Sequence, residues 1–292
     1  QNRLRCNAPS MSTTNTSPSK AEQGLSSAVS GRPSTRFAED VAAFLQAEGF
    51  HWRWIPYKDA KSDRLPRLLG VRGSSSFLVL RLLETPRCTE EVIPASASSA
   101  FSEAFYARPP RPRKMTLVHL WEDQWLEHNE IVRSRILTML GRSRRLFARL
   151  THARRIDAAT LNAFLLENHL LGPTQARYRY GLFLSKEPND LVAAASFSPR
   201  WRFRRNATSE KRSSHELIRY CSRRGEVVVG GISKLLSAFI DEASPDEVVT
   251  VFDNDWGPAE GWGKVGFELL TKLPGFTYYV GTDGRRCHVG AG

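Results

Sequence analysis

Gly230 and Gly231 stand between a β-branched run, Val227 to Val229, and an amphipathic stretch that opens with Ser233 and Lys234. Paired glycines at a strand-to-helix junction let a ligand come close to the backbone, and the first helical amides are unpaired donors aimed at an anion. The backbone at Gly230 and Gly231 is therefore a candidate site for an anionic ligand. A bare strand-to-helix turn would need the same glycines.

Two basic clusters offer a second chemistry. Arg133, Arg135, Arg142, Arg144, Arg145, Arg149, Arg154 and Arg155 crowd one stretch. Arg200, Arg202, Arg204, Arg205, Lys211 and Arg212 form another, interleaved with Trp201 and Phe203. Guanidinium forks grip phosphates, and an aromatic between them can stack on an unpaired base. The competing reading is a solvated loop with its aromatics tucked into the core. The first cluster is expected to lie partly on a helix, which would spread its charges over several faces.

Carboxylates are the third resource. Glu39 sits in a candidate helix and Glu84 just after an apolar run; a solvated helix face and a strand-end charge explain them equally well. Glu167, Asn168 and His169 stand in series, and Glu167 or His169 could act as a general base. Adjacent helical residues point to different sides, however. The plainer account is a helix C-terminus closed by Gly172-Pro173, with His169 favourable at the dipole's negative end.

The elements that must position these groups are readable from periodicity. Phe37, Val41, Phe44 and Leu45 share one face of a helix over 37–50. Strands are expected at 52–55, 65–71 and 77–83, with Ser74 to Ser76 as a turn. A Pro/Arg loop (108–114) precedes a buried strand, 115–121, and a helix begins at about Glu127. Leu191 to Phe197 reads as a strand. A helix carrying Leu217, Ile218 and Tyr220 is expected before Val227 to Val229. Beyond the glycines come a helix over 233–242, a strand over 248–252, a polar loop at Asn254 to Gly257 and a short helix ending at Gly266-Phe267. Strand, glycine pair, helix, strand is an α/β crossover layout.

Composition bounds the rest. The chain has 292 residues, 41% of them apolar, enough for one large or two small packed domains. Its net charge of +12 favours a polyanionic partner, DNA or RNA. No run reaches the length of a membrane span, so no membrane partner is expected. The four cysteines are far apart, without a C-x-x-C pair; neither a zinc site nor a disulfide framework is suggested, and a reducing, intracellular compartment is the simpler expectation. Residues 1–35 are Ser/Thr/Pro-rich with Glu22 the only acid, and read as a disordered tail; the composition also suits an organelle transit segment. Residues 283–292 read as a C-terminal tail.

The series LIRYC (217–221), VVVGGISKLL (227–236), VFDNDWG (251–257), WGKVGF (262–267) and PGFTYYV (274–280) resembles the GNAT-like domain of phage-type homing-endonuclease-like proteins. Upstream, WEDQW (121–125) and FLLENHLLG (164–172) resemble segments of the same proteins. The resemblance spans roughly 117–280, and its order and spacing are more specific than any one motif.

The resemblance implies an α/β fold: a Vsr/PD-(D/E)XK-like nuclease domain over 36–130, then a GNAT-like mixed-sheet domain over 145–282. Nucleases of that kind hold Mg²⁺ with carboxylates from a helix and adjacent strands. Glu39 fits the helix position and Glu84 could be a surviving ligand. The hairpin that should carry an acid reads RLLGVRG (67–73), and His119 lies inside a strand. The nuclease half is accordingly expected to be degenerate and inert, with Mg²⁺ relevant only if its site survives. In the resembled proteins the ENH segment stands near the substrate face. By the same resemblance Val229, Gly230, Gly231, Ser233 and Lys234 match the family's loop for the pyrophosphate of an acyl-CoA such as acetyl-CoA, with Lys234 supplying charge, but the stretch is shorter than that loop and lacks its third small residue. The leading expectation is nucleic-acid binding with cleavage lost. The alternatives are a GNAT-type acyltransferase using an acyl-CoA, an active Mg²⁺-dependent endonuclease, and a structural subunit of an organellar nucleoprotein complex.

Overall fold

The computed structural model describes residues 35–55, 67–73, 76–85, 115–203, 211–257, 260–271, 278–281 and 285–288. Nearly all of the expected N-terminal tail, the Pro/Arg loop, Ser74, Ser75, Arg204 and Arg205 lie outside the described residues. The architecture is mixed α/β, built on two main sheets with mixed strand directions.

Helix α1 (Thr35–Ala47) buries Phe37, Ala38, Val41, Ala42, Phe44 and Leu45 and leaves Glu39 and Asp40 in solvent. That stripe packs on a four-stranded sheet of β1 (His51–Ile55), β2 (Arg67–Arg72), β3 (Phe77–Leu83) and β4 (Met115–Trp121), in that order. The first three strands form an antiparallel meander, whereas β4 runs parallel to β3. Parallel neighbours need a long crossover, and strands buried on both faces read as continuous apolar runs, as β3 and β4 do.

The helix expected from about Glu127 is α3 (Asn129–Met139), and a short helix not expected, α2 (Glu122–Glu127), precedes it across His128. Trp125 of α2 and Val132 and Ile136 of α3 close the core under α1. Trp256, from far along the chain, joins the same core.

The second sheet runs β12-β10-β8-β7-β6, with β9 on β10. Its strands are β6 (Thr151–Arg155), β7 (Tyr178–Leu184), β8 (Leu191–Phe197), β9 (Trp201–Phe203), β10 (Arg212–Ser222) and β12 (Glu247–Val249). A separate two-stranded parallel pair joins β5 (Arg144–Phe147) to β11 (Glu226–Val229). Period two along β8 puts a helix on each face. Ala194 packs with Leu161, Phe164 and Leu165 of α4 (Ala158–Asn168), whereas Ala193, Ala195 and Phe197 cluster with Leu235, Leu236 and Phe239 of α5 (Gly231–Ala243). Phe197 and Phe239 stack with ring centroids 4.0 Å apart. A one-turn helix, α6 (Glu260–Gly263), follows.

Four expectations change. The segment carrying Leu217, Ile218 and Tyr220 is strand β10, not a helix. Its register against β8 shifts between Leu217 and Arg219, so two apolar residues stand side by side and the period of two is lost from the sequence. Strand β12 is shorter than 248–252 and begins at Glu247. The short helix stops at Gly263, before Gly266-Phe267. Within 283–292, Arg286–His288 form β14, paired with β13 (Tyr278–Val280) and tied by the Arg286 guanidinium to Asp123 at 2.8 Å. Among the described residues no helix is long and apolar enough to cross a membrane.

Candidate nucleic-acid interface

Strand β9 adds three residues to the sheet by pairing antiparallel with Arg212–Ser214 of β10. Trp201 and Phe203 are two apart and so share a face; their ring centroids are 6.3 Å apart and tilted by 38°. Trp201 is 65% exposed, Arg200, Arg202 and Lys211 are exposed, and Phe203 is half-buried. Arg212 is half-buried, and its Nη2 donates to the Asp246 carbonyl at 3.4 Å. The Asp246 carboxylate turns the other way and accepts from the Ser213 N–H at 2.7 Å and Oγ at 2.9 Å. Those bonds hold its pKa below the ordinary carboxylate range. The ladder thus presents the indole and Arg212 on one face and Arg202 on the other, with the Asp246 carboxylate turned to Ser213.

The first basic cluster divides among several faces, as its spacing suggested. Arg133 stacks on Phe44 and Trp125, Arg135 on Trp256, Arg149 on Phe147, Arg154 on Phe183 and Arg155 on Tyr178. Arg144 pairs with Glu226 at 3.3 Å. Arg145 is exposed, and Arg142 is exposed with its guanidinium over the Phe50 ring at 4.9 Å.

At the glycine pair, Gly230 has φ 78° and sits at the N-terminus of α5; this left-handed conformation is the one glycine adopts freely. Gly231 is constrained by space instead. A Cβ there would lie 2.9 Å from Tyr220 Oη and 3.0 Å from Val228 Cβ. Val229 is half-buried and Ser233 exposed. Lys234 turns away from the glycines: its Nζ donates to the Ala148 carbonyl at 2.9 Å and to the Thr151 carbonyl, tying α5 to the turn before β6. Its charge is engaged by two backbone carbonyls, of which Ala148's also accepts from Thr151 Oγ1 at 2.8 Å.

The ENH residues separate. Glu167 is exposed on α4. Asn168 is buried, donating to the Phe164 carbonyl at 2.8 Å and accepting from the Arg224 N–H at 2.7 Å. His169 Nδ1 accepts from the Leu171 N–H at 3.1 Å. Burial, then Arg219 and Arg135, lower its pKa to about 3. The ring is therefore neutral, with its lone pair occupied. That corrects the expectation of a cation favourable at the helix terminus and leaves no lone pair to take a substrate proton.

Glu39 lies on the solvent face of α1 and Glu84 is half-buried just past β3. Among the described residues no group of three or more His, Cys, Asp or Glu is placed to hold a metal. The acid that sequence reasoning missed is Asp255. Its Oδ2 accepts from Trp121 Nε1 at 3.0 Å, and its Oδ1 lies 3.6 Å from His119 Nδ1. Burial and then Asp253 raise Asp255 to about 6, against the pull of Trp121, Arg286 and Arg81. Burial and then Arg81 lower His119 to about 4. The Asp-Asn-Asp-Trp run of the polar loop was the one signal in the sequence.

No protein family, curated protein or solved structure matches this chain.

Proposed function

We propose that the protein binds nucleic acid through the β9–β10 face and does not cleave it, as a homing-endonuclease-like protein whose Vsr-like nuclease half has degenerated. The observation that carries this reading is Trp201, 65% exposed on a three-residue strand, on the face it shares with Phe203 and with Arg212, the cross-strand partner of Phe203, while Arg202 stands on the opposite face. A large indole left in water beside guanidinium groups offers a base a stacking surface and its phosphates a grip. One feature supports the nuclease-like half and another its loss of cleavage. The nuclease half is expected as a helix, strands and then a buried strand leading to residues 121–125, and α1 followed by β1 to β4 has that order. Yet β2 and its turn carry Gly70, Arg72 and Gly73 and no acid. Without paired carboxylates a divalent ion has neither charge compensation nor fixed geometry.

The test is fluorescence anisotropy with single-stranded and duplex DNA and RNA across a salt series. Binding whose log affinity falls by about 0.7–0.9 per phosphate contact, and falls less steeply when Arg200 and Arg202 become Gln, bears the reading out. Salt-independent binding, or none, refutes it.

A GNAT-type acyltransferase is the second reading, and one observation favours it. Gly230, at φ 78°, leads straight from β11 into the N-terminus of α5, where helical amides without intrahelical partners face outward as they do toward a phosphate. The engagement of Lys234 and the tight space over Gly231 oppose it. Calorimetric titration with acetyl-CoA separates the two readings; micromolar affinity would promote the transferase.

A further inference from the structure

Helices α1 and α3 end in the same way and at the same place. After α1, the Gly49 N–H donates to the Gln46 carbonyl at 2.9 Å and the Phe50 N–H to Leu45 at 2.9 Å, with Gly49 at φ 74°. After α3, the Gly141 N–H donates to Thr138 at 3.1 Å and the Arg142 N–H to Leu137 at 2.9 Å, with Gly141 at φ 83°. Both are Schellman caps, so two carbonyls at the end of each helix take backbone donors from the turn that follows. Ser76 Oγ covers the Met139 carbonyl as well, at 2.9 Å.

The two caps open onto one cavity of about 300 Å³, lined also by His51, Arg72 and Gly73. Its lining holds three basic side chains, His51, Arg72 and Arg142, and no carboxylate. His51 and Arg72 are direct cross-strand partners in the β1–β2 ladder, a pairing of basic groups that costs stability when both are charged. Arg142 stacks on Phe50 at 4.9 Å, which presents the guanidinium as a plane. All three basic side chains are exposed, and neither arginine makes an ion pair with a described residue.

We infer that this cavity binds one phosphate-bearing nucleotide, with Arg72 and His51 on the phosphate and the Phe50–Arg142 stack extended by the base. Its volume is at the lower end of small-ligand sites, roughly 300–1,000 Å³, which suits a single nucleotide and little more. Arginine planes stack on bases, and their in-plane N–H groups grip phosphate oxygens. The nucleotide can be free or the phosphorylated end of a strand; only the second source rests on the nucleic-acid reading above.

The experiment compares the whole chain with its Arg72→Gln/Arg142→Gln variant, using Arg72→Lys/Arg142→Lys and melting curves as controls for folding. Probes are a single-stranded oligonucleotide with a 5′-phosphate, the same strand with a 5′-hydroxyl, the four nucleoside 5′-monophosphates, and inorganic phosphate. A preference of about tenfold or more for the phosphorylated strand, lost in the Gln variant and partly kept in the Lys variant, assigns the cavity to a strand end. Calorimetric binding of a nucleoside monophosphate without that preference, lost in the Gln variant, assigns it to a free nucleotide. This second outcome with no oligonucleotide binding at all sinks the nucleic-acid reading and leaves the cavity standing. Oligonucleotide binding with no phosphate preference, no uptake of monophosphates and no change in the Gln variant overturns the cavity site and leaves that reading intact. Binding of inorganic phosphate equal to that of the monophosphates overturns the nucleotide assignment.

Discussion

Trp121 and Asp255, 134 positions apart, meet through a 3.0 Å hydrogen bond that fastens the polar loop to the end of β4. The bond brings the carboxylate beside buried His119 and seats the neighbouring Trp256 in the core under α1. The two halves of the chain are therefore joined through a titratable cluster.

That cluster gives a pH prediction. Asp255 titrates near 6 in the folded chain against about 4 when unfolded, so between those values the folded form holds the extra proton. Its contribution to stability therefore falls as pH rises through that window. His119 titrates near 4 against about 6.5, so over nearly the same window the unfolded form holds the extra proton. Its contribution is lost as pH falls from about 6.5 to 4. The slopes oppose each other and largely cancel. Asp255→Asn leaves the histidine slope alone, and urea unfolding of that variant should lose about 2 kcal/mol between pH 6.5 and 4 relative to the wild type. Parallel stability curves for the two proteins would contradict the cluster.

Much of this fold is legible in the sequence because it is local. The stripe of Phe37, Val41, Phe44 and Leu45 gives α1, and continuous apolar runs give β3 and β4. The β-branched run before Gly230 gives β11, with α5 after it. Strand β10 is misread because its bulge sets Leu217 beside Ile218 and erases alternation. The arginines could be counted but not placed. Stacking of Arg133 on Trp125 or Arg135 on Trp256 depends on chain segments brought together only by folding. The same holds for Asp255 and His119, and for the cavity between two helix ends.

Gly231→Val should destabilise the chain by about 1–3 kcal/mol through overpacking, because its side chain would enter the space of Tyr220 Oη and Val228. Gly231→Ala should cost less, and Tyr220→Phe should restore part of that loss by removing the contact at 2.9 Å. Gly230→Ala acts differently, through φ 78°, and should cost about 1 kcal/mol that no change at Tyr220 restores. Thermal melts of Gly231→Val and of each alanine variant with and without Tyr220→Phe decide this; equal rescue of both alanine variants would refute the assignment.

Purified protein incubated with supercoiled plasmid should not nick it in Mg²⁺ or Mn²⁺. The described residues bring no third ligand to Glu39 or Glu84, and β2 supplies no acid. Metal-dependent nicking that vanishes in Glu84→Ala would restore an active nuclease site.

Trp201→Ala should separate stacking from charge. If the indole stacks on an unpaired base, its loss should weaken single-stranded ligands by about 1–3 kcal/mol and spare duplexes, whose bases are already stacked. The salt slope should stay where it was, because no phosphate contact has been removed. Arg202→Gln should do the converse, flattening the slope by about one unit for a true contact and weakening every sequence alike. Folding is not at stake, since Trp201 is 65% exposed and β9 only three residues long. Equal loss of single-stranded and duplex binding on Trp201→Ala, with a changed slope, would mean that the indole positions the neighbouring arginines and does not touch a base.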